Sequence, residues 1–227
     1  MKHNNKFVYP RTMRETIDGK RHYNINDKEK LPSVTTILSK TSPAEKEEGL
    51  RKWREKMGEE TATRIVDEAA ARGTAMHKIL ERYIGEEGYL DLTNVGKNAH
   101  NMAMKIIADG LCNITEYYGL ESTLFYPGLY AGATDMIALH KGKMAIVDFK
   151  QTNKPKKREW IEDYCLQLAA YGMAHDYMHK TQIEKAVIMM CSKDNYYQEF
   201  VIEGEEYRQY KYKWLGRVSK YYEQKNK

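Results

Sequence analysis

Cysteine is scarce in this sequence. Only Cys112, Cys165 and Cys191 occur in 227 residues, an odd number of widely spaced positions. This pattern predicts no disulfide framework and favours a reducing compartment. Because an iron–sulfur cluster usually needs four cysteine ligands, we also expect no cluster of that kind.

Long apolar runs are missing as well. No stretch approaches the roughly 18 apolar residues of a membrane-spanning helix, and residues 1–5 lack the apolar core of a secretion signal. The chain has 41% hydrophobic and 30% charged residues, which is typical of a globular protein. We therefore expect a cytoplasmic protein with no membrane partner.

The periodicity of the sequence changes near its middle. Apolar residues recur with helical spacing before residue 119, and the strand pattern begins soon after it. We predict one α/β domain over residues 1–227, in which 1–118 form a hairpin and a helical cap or arch and 119–227 form the core. The predicted helices are 44–57, 59–84, 95–118, 159–179 and 205–224, and the predicted strands are 121–126, 130–139, 143–151, 185–191 and 196–202.

Two local predictions concern the first half of the chain. The turn signal Asp18-Gly19-Lys20 predicts a hairpin between residues 8–9 and 22–25. Ser42 is predicted to cap the helix over 44–57. The proline that follows it also favours a helix start at this point. The apolar residues that this helix is predicted to bury are Leu50, Trp53 and Met57.

The most informative segments lie in the predicted strands. Gly132-Ala133-Thr134-Asp135 is followed by the apolar run Ile146-Val147-Asp148-Phe149-Lys150. Residues two apart on a strand face the same side, so Asp148 and Lys150 should share a pocket while the residues between and before them face the opposite layer. A carboxylate that interrupts an apolar strand needs a cation or a proton. Metal-assisted attack on a phosphodiester would use both the carboxylate and the lysine.

These segments resemble the core motif of the PD-(D/E)XK nuclease superfamily. Two further segments have the order of its RecB-type branch, Arg72-Gly73-Thr74-Ala75-Met76-His77 before the motif and Gln167-Leu168-Ala169-Ala170-Tyr171 after it. Residues 32–38 and 50–53 are similar, more particularly, to the mitochondrial genome maintenance exonucleases and their phage and bacterial relatives. The resemblance implies a restriction-endonuclease-like core, in which helices flank a mixed central sheet.

The resemblance also implies a site for Mg²⁺ or Mn²⁺. Asp135 and Asp148 are the expected carboxylate ligands, and oxygen ligands of this kind suit both ions. His77 and the backbone carbonyl of Phe149 are expected to complete the site. Taken alone, a helical histidine is more often a packed or exposed side chain than a ligand.

Two further residues are expected to take part in the chemistry. Lys150 would position the attacking water or offset charge on the phosphate, and its alternative role is an ion pair with Asp148 or Asp135. Glu121, at the start of the first predicted core strand, would contact the metal or orient water. The alternative for Glu121 is an exposed glutamate at a strand end.

Basic residues concentrate around the motif. Between Lys141 and Arg158 there are seven basic residues and one acid, Asp148. Beside a metal pocket, this run favours a groove that follows a phosphate backbone over a solvated loop. The residues expected to contact DNA are Arg72, Thr152, Lys154, Lys156, Gln167 and Tyr171.

The sequence therefore predicts a metal-dependent DNA exonuclease, and the resemblance implies a preference for single strands with free ends. The alternatives are a structure-selective or double-strand endonuclease of the same fold, a DNA-binding module that does not cut, and an unrelated α/β protein in which Asp148 and Lys150 form a structural pair. No Gly-x-x-x-x-Gly-Lys loop is present, so an ATP-driven helicase partner would be a separate chain. We expect a monomer in the cytoplasm of a bacterium or of a phage-infected host.

Overall fold

A six-stranded mixed sheet lies at the centre of the fold in the computed structural model, which describes residues 1–10, 12–17, 19–26, 29–88 and 93–225. The strands are β1 (Lys2–His3), β2 (Met13–Ile17), β3 (Lys20–Asn26), β4 (Glu29–Pro32), β5 (Ile114–Tyr126), β6 (Tyr130–His140), β7 (Lys143–Thr152), β8 (Lys185–Ser192) and β9 (Tyr197–Glu203). The helices are α1 (Val34–Lys40), α2 (Ala44–Met57), α3 (Glu59–Ile84), α4 (Asn94–Asp109), α5 (Glu162–His179) and α6 (Gly204–Lys225).

The central sheet has the strand order β1-β5-β6-β7-β8-β9. Strands β5, β6 and β7 form an antiparallel meander, and β8 lies parallel to β7 after a crossover through α5. Strands β2, β3 and β4 form a separate small antiparallel sheet. The predicted α/β class, with a mixed central sheet flanked by helices, is confirmed.

Helices cover both faces of the central sheet. Residues of α1, α5 and α6 form one apolar cluster with Ile146 and Ile188, whereas residues of α3 and α4 form another with Val147, Phe149 and Val187. Side chains alternate along a strand, so Asp148 and Lys150 belong to the face that α5 covers. Within the described ranges, none of the helices combines the length and apolarity needed to cross a membrane.

The third predicted helix is wrong at its C-terminal end. Helix α4 stops at Asp109, and β5 begins at Ile114, inside the segment predicted as helix. A Cβ added to Gly110 would lie 2.6 Å from the Tyr197 hydroxyl oxygen and 2.9 Å from the sulfur of Met189. The close approach of β8 and β9 therefore requires a glycine there, and the β-branched and aromatic residues that follow pair as a strand.

Helix α2 has the predicted bounds but not the predicted burial. None of its residues is buried, and Leu50 and Met57 are 54% and 39% exposed. The N-cap is Pro43, without a side-chain hydrogen bond, so the predicted cap by Ser42 is also wrong. The helix packs along α3 and lies near the start of α5, and part of its apolar face remains exposed.

The predicted hairpin has a different first strand. Strand β3 pairs with β2 rather than with residues 8–9, and Asp18 of the predicted turn lies outside the described residues. The segment that contains Tyr9 contacts α5 instead, because the Tyr9 hydroxyl lies 3.1 Å from Nε2 of His175.

His175 is a fully buried histidine whose hydrogen bonds fit a neutral ring. The Thr181 hydroxyl donates to Asp176 Oδ1, so it accepts from His175 Nδ1, which is 2.8 Å away. Nε2 is then free to accept from Tyr9. Burial, with a smaller effect of His179, lowers the pKa of His175 to about 3.

This histidine should make stability depend on pH. Below the pKa of an unfolded histidine, about 6.5, the unfolded chain binds a proton that folded His175 does not bind. Its contribution to the free energy of unfolding is therefore present above pH 6.5 and is lost as the pH falls below that value. Urea titrations at pH 7 and pH 5 give the decrease in the free energy of unfolding between the two pH values. We expect this decrease to be smaller for His175→Asn than for the wild type, whatever the stability of the variant at pH 7. Equal losses in the two proteins would contradict this role.

Candidate functional site

The site forms where β6 and β7 separate. Their regular pairing ends at Met136 and Val147, and the next residue of β6 is Asp135. The backbone of Asp135 does not continue the pairing with β7. Its side chain contacts β7 instead, and Oδ2 accepts a hydrogen bond from the Phe149 N–H at 2.7 Å. The carboxylate is thereby held in place by the backbone of the neighbouring strand.

Two more elements bring side chains to Asp135. From α3, Nδ1 of His77 lies 3.3 Å from Asp135 Oδ1. From β5, Glu121 joins them, and one donor atom from each of the three residues lies within 4.8 Å of the others. Glu121 has a φ of 47°, in the left-handed region that is rare for residues other than glycine. The backbone is therefore distorted at the residue that turns its carboxyl toward the cluster.

Beside this cluster is an ion pair between Asp148 and Lys150. The Asp148 side chain is 3% exposed, and its buried Oδ2 is the oxygen that pairs with the Lys150 ammonium. The ammonium of Lys150 also lies 5.1 Å from the centre of the Tyr164 ring on α5. The two residues share one side of β7, as the sequence predicts, and the pairing is the one expected when no substrate is present.

Burial and charge give these groups different pKa values. Glu121 is an exposed residue at the edge of the cleft, and partial removal of its carboxyl group from water, with a further effect of Asp135, raises its pKa to about 7. Burial raises the pKa of Asp148 as well, although Lys150 opposes it. Burial also disfavours ionised Asp135, but His77 and Lys150 outweigh that effect and lower its pKa. The site thus combines one carboxylate whose pKa is lowered with two whose pKa is raised, and a bound cation would favour the ionised form of each.

The donor set fits a divalent cation. His77, Glu121 and Asp135 offer one nitrogen and two carboxylate groups at a spacing that a single ion could bridge. The Asp148 carboxylate lies in the same cleft, where Lys150 is its cationic partner. Carboxylate oxygens suit hard divalent cations, and an imidazole nitrogen is a common ligand of divalent transition-metal ions.

These groups line an open cleft of about 570 Å³. Helix α5 forms one wall with Gln167 and Tyr171, whose side chains are joined by a hydrogen bond of 3.1 Å. A Cβ added to Gly132 would lie 2.6 Å from a carbon of the Tyr171 ring. The glycine of the sequence motif is therefore needed for close packing of α5 against β6.

Two predicted DNA contacts have partners inside the protein. The buried Arg72 donates from Nε to Gln151 Oε1 at 3.0 Å and from Nη2 to Asn153 Oδ1 at 2.5 Å. Thr152 is buried too, and its hydroxyl donates to the carbonyl of Lys154 at 2.9 Å. These bonds hold the loop after β7 against α3, which favours structural roles for Arg72 and Thr152 in place of the predicted DNA contacts.

The two predicted lysines lie on the loop that follows β7. Lys154 is exposed, and Lys156 is half-buried. The backbone of Lys156 is fixed by the side chain of Gln198, which accepts its N–H at 2.7 Å and donates to its carbonyl at 2.9 Å. Neither lysine is part of the cleft lining. A DNA strand bound in the cleft would therefore reach these lysines only outside it.

Several cleft residues were missed from the sequence. On α3, Thr74, Lys78 and Arg82 recur at every fourth position. Glu81 follows His77 by four, so these residues share one helix face, and this spacing was a usable signal. The arginines of β2 and β3 are brought together by strand pairing, and although the turn signal predicted a hairpin here, its first strand was assigned to residues 8–9. The missed lining residues are Arg14, Arg21, Tyr23, Ser33, Thr35, Thr74, Lys78, Glu81 and Arg82.

Comparison with known proteins gives sequence relatives of one kind. No family model matches the chain. It is 31% identical over 207 residues to mitochondrial genome maintenance exonuclease 1 of Mus musculus, covering 86% of this chain and 60% of that protein. The Homo sapiens protein of the same name is 28% identical over 208 residues, with 86% and 59% covered. The chain thus spans about 60% of the length of the curated relatives that it matches.

Solved structures show a weaker likeness. A crystal structure of a candidate exonuclease from Eubacterium rectale is 11% identical, with a TM-score of 0.44, and the match covers 65% of this chain and 63% of that one. A TM-score this low does not establish a relationship between the two proteins. The sequence matches relate the chain to the mitochondrial genome maintenance exonucleases, which is the PD-(D/E)XK-like relationship that its motif predicted.

Proposed function

We propose that this chain is a metal-dependent DNA exonuclease that hydrolyses phosphodiester bonds and prefers single strands with free ends. The observation that carries the proposal is the convergence of His77, Glu121 and Asp135 beside the Asp148–Lys150 pair in one cleft. A histidine and several carboxylates next to a buried lysine suit hydrolysis of a phosphodiester by an activated water. The names of the sequence relatives support the same activity.

The residues divide into those that would hold an ion and those that would act on the phosphate. His77, Glu121 and Asp135 would hold Mg²⁺ or Mn²⁺, with Asp148 and the carbonyl of Phe149 as further oxygen donors. When bound, the cation supplies charge neutralisation at the phosphate and a more acidic water.

Lys150 would act directly on the substrate. The Lys150 ammonium, which pairs with Asp148, would hold the attacking water or a phosphate oxygen if Asp148 were among the ligands of a cation. Burial disfavours the charged lysine, but Asp148 and Asp135 more than offset this and raise its pKa, so it remains a cation. The Tyr164 ring below the ammonium limits the directions in which it can move.

Cationic side chains on the cleft walls support a path for a phosphate backbone. Arg14 and Arg21 lie on the small sheet, and Lys78 and Arg82 lie on α3, on the lining of the same cleft as the carboxylates. Such charges favour a polyanion over a small neutral substrate. Lys154 would extend this path on the loop beyond the cleft.

The finer parts of the proposal concern the form of the substrate and the setting. Threading of a free end beneath an arch built from residues 44–109, the helical part of the segment predicted as 44–118, would account for action on ends. A monomer in the cytoplasm of a bacterium or a phage-infected host remains our expectation for the state and place of the protein.

Replacing the lysine of the site should abolish cleavage. We expect Lys150→Ala to cut end-labelled single-stranded DNA at least about 100-fold more slowly than the wild type, because positioned cations of this kind contribute about that much. EDTA should stop the wild type, and Mg²⁺ or Mn²⁺ should restore it. Lys143→Ala is the matched control, since this exposed lysine lies on the same strand at its opposite end. Equal rates for the Lys150 and Lys143 variants would refute the assignment.

Blocking the ends of the substrate tests the exonuclease part of the proposal. A linear single strand with both ends blocked, and a closed circle of the same sequence, should both resist the wild type, whereas the open strand is degraded. Rapid cutting of the circle would instead identify an endonuclease. DNA binding without any cutting would identify a binding module.

Glu121 offers a test of stored backbone strain. A residue with a side chain in the left-handed region costs about 1 kcal/mol or more, and glycine avoids that cost. We therefore expect Glu121→Gly to be at least as stable as Glu121→Ala in urea unfolding, although glycine normally destabilises a strand relative to alanine. Both variants should lose metal-dependent cleavage. A glycine variant clearly less stable than the alanine variant would show that the strain is absent.

A further inference from the structure

A second cavity lies next to the catalytic cleft. Its volume is about 470 Å³, and it lies between α1, α2 and the start of α5. Thr35 and Gln167 line both this cavity and the cleft. The two spaces therefore adjoin each other at these residues, and we call the second one the α2 groove.

The walls of the α2 groove are largely apolar. Leu38 of α1 and Leu50 of α2 contribute aliphatic surface, and Tyr164 of α5 contributes an aromatic ring. Lys46, at the rim, is already paired with Asp163. Hydrogen-bonding groups are present where the groove meets the cleft, in the hydroxyl of Thr35 and the amide of Gln167. The groove thus suits a flat, apolar group with a polar edge better than it suits a phosphate.

Tyr164 connects the groove to the reactive part of the cleft. Its ring lines the groove, and the same ring lies 5.1 Å from the Lys150 ammonium. A group in the groove would therefore be one side chain away from the lysine proposed to contact the phosphate. In a nucleotide, the base is separated from the phosphate by the sugar, so a base in the groove is compatible with a phosphate beside Lys150.

The exposure of α2 has an explanation in the same groove. Leu50 is 54% exposed on a helix without any buried residue, although its helical spacing is that of a core position. Leu50 lines the α2 groove together with Leu38 and Tyr164, so its exposed side chain is available to a ligand in the groove.

We propose that the α2 groove binds one unpaired nucleobase of the substrate strand, next to the phosphate in the catalytic cleft. This inference rests on the proposed function and adds to it a physical basis for single-strand preference. Stacking on Tyr164 and packing against Leu50 require an accessible base face. Hydrogen bonding to Gln167 requires a base edge that no complementary strand occupies.

Binding without metal tests the groove separately from catalysis. Fluorescence anisotropy in EDTA would compare a labelled short oligothymidylate with the same backbone carrying abasic sites. The wild type should bind the strand with bases about tenfold more tightly, which is the order expected for one stacked base. For Leu50→Asn we expect a preference of about threefold or less, because the apolar wall is lost.

Two control variants separate the groove from general effects. Leu50→Met keeps the apolar wall and should retain the preference of the wild type. Met104→Asn makes the same kind of change at a 44% exposed residue of α4, a helix that packs on the other face of the sheet, and should also retain it. An equal affinity of the wild type for the two strands, or an unchanged preference in Leu50→Asn, would overturn the inference.

A cleavage assay in Mg²⁺ distinguishes failure of the groove from failure of the proposed function. If the strand is cut in a Lys150-dependent way but the base preference is absent, the exonuclease proposal stands and the groove proposal fails. If no protein cuts but the preference is present and depends on Leu50, the groove binds bases and the nuclease proposal fails. Quenching of 2-aminopurine in the strand by the wild type gives a second measurement, which needs no variant to fold, and lack of quenching would count against the groove.

Discussion

The hydrogen bond from the Phe149 N–H to the Asp135 carboxylate is the contact on which the site depends. It occurs where the pairing of β6 and β7 ends, so a side chain takes the place of a backbone acceptor. One strand thereby holds the carboxylate of the other at a fixed position. His77 reaches the second oxygen of the same carboxylate from α3, which ties a helix to the gap between the strands.

Burial of charge between two helical layers is the other constraint. Strand β7 is covered by α5 on one face and by α3 on the other, so Asp148 and Lys150 are removed from water. Such a pair costs more free energy than apolar residues in the same place would, which makes it weak as a device for stability. The same burial strengthens each charge toward a substrate phosphate or a cation, and this is the use that we propose for it.

The sequence predicted most of the core from local patterns. The bounds of α2 and α3 and the order of the core strands follow from apolar periodicity, and the common side of Asp148 and Lys150 follows from the geometry of a strand. The errors arose where distant contacts outweigh local preference. Helix α4 ends early because Gly110 packs against Tyr197 and Met189, and Leu50 of α2 stays exposed because no layer covers that face.

What the sequence determined by itself was the set of elements and the chemical character of one strand, because periodicity and a charged pair in an apolar run are local properties. Only the tertiary structure decided which side chains meet. Asp135 and Glu121 lie on neighbouring strands, and His77 comes from a helix more than forty residues earlier in the chain. Arg14 and Arg21 reach the cleft through a separate small sheet, and α1, α2 and α5 enclose the groove together. Distances between such elements depend on the packing of the whole chain, which no local pattern encodes.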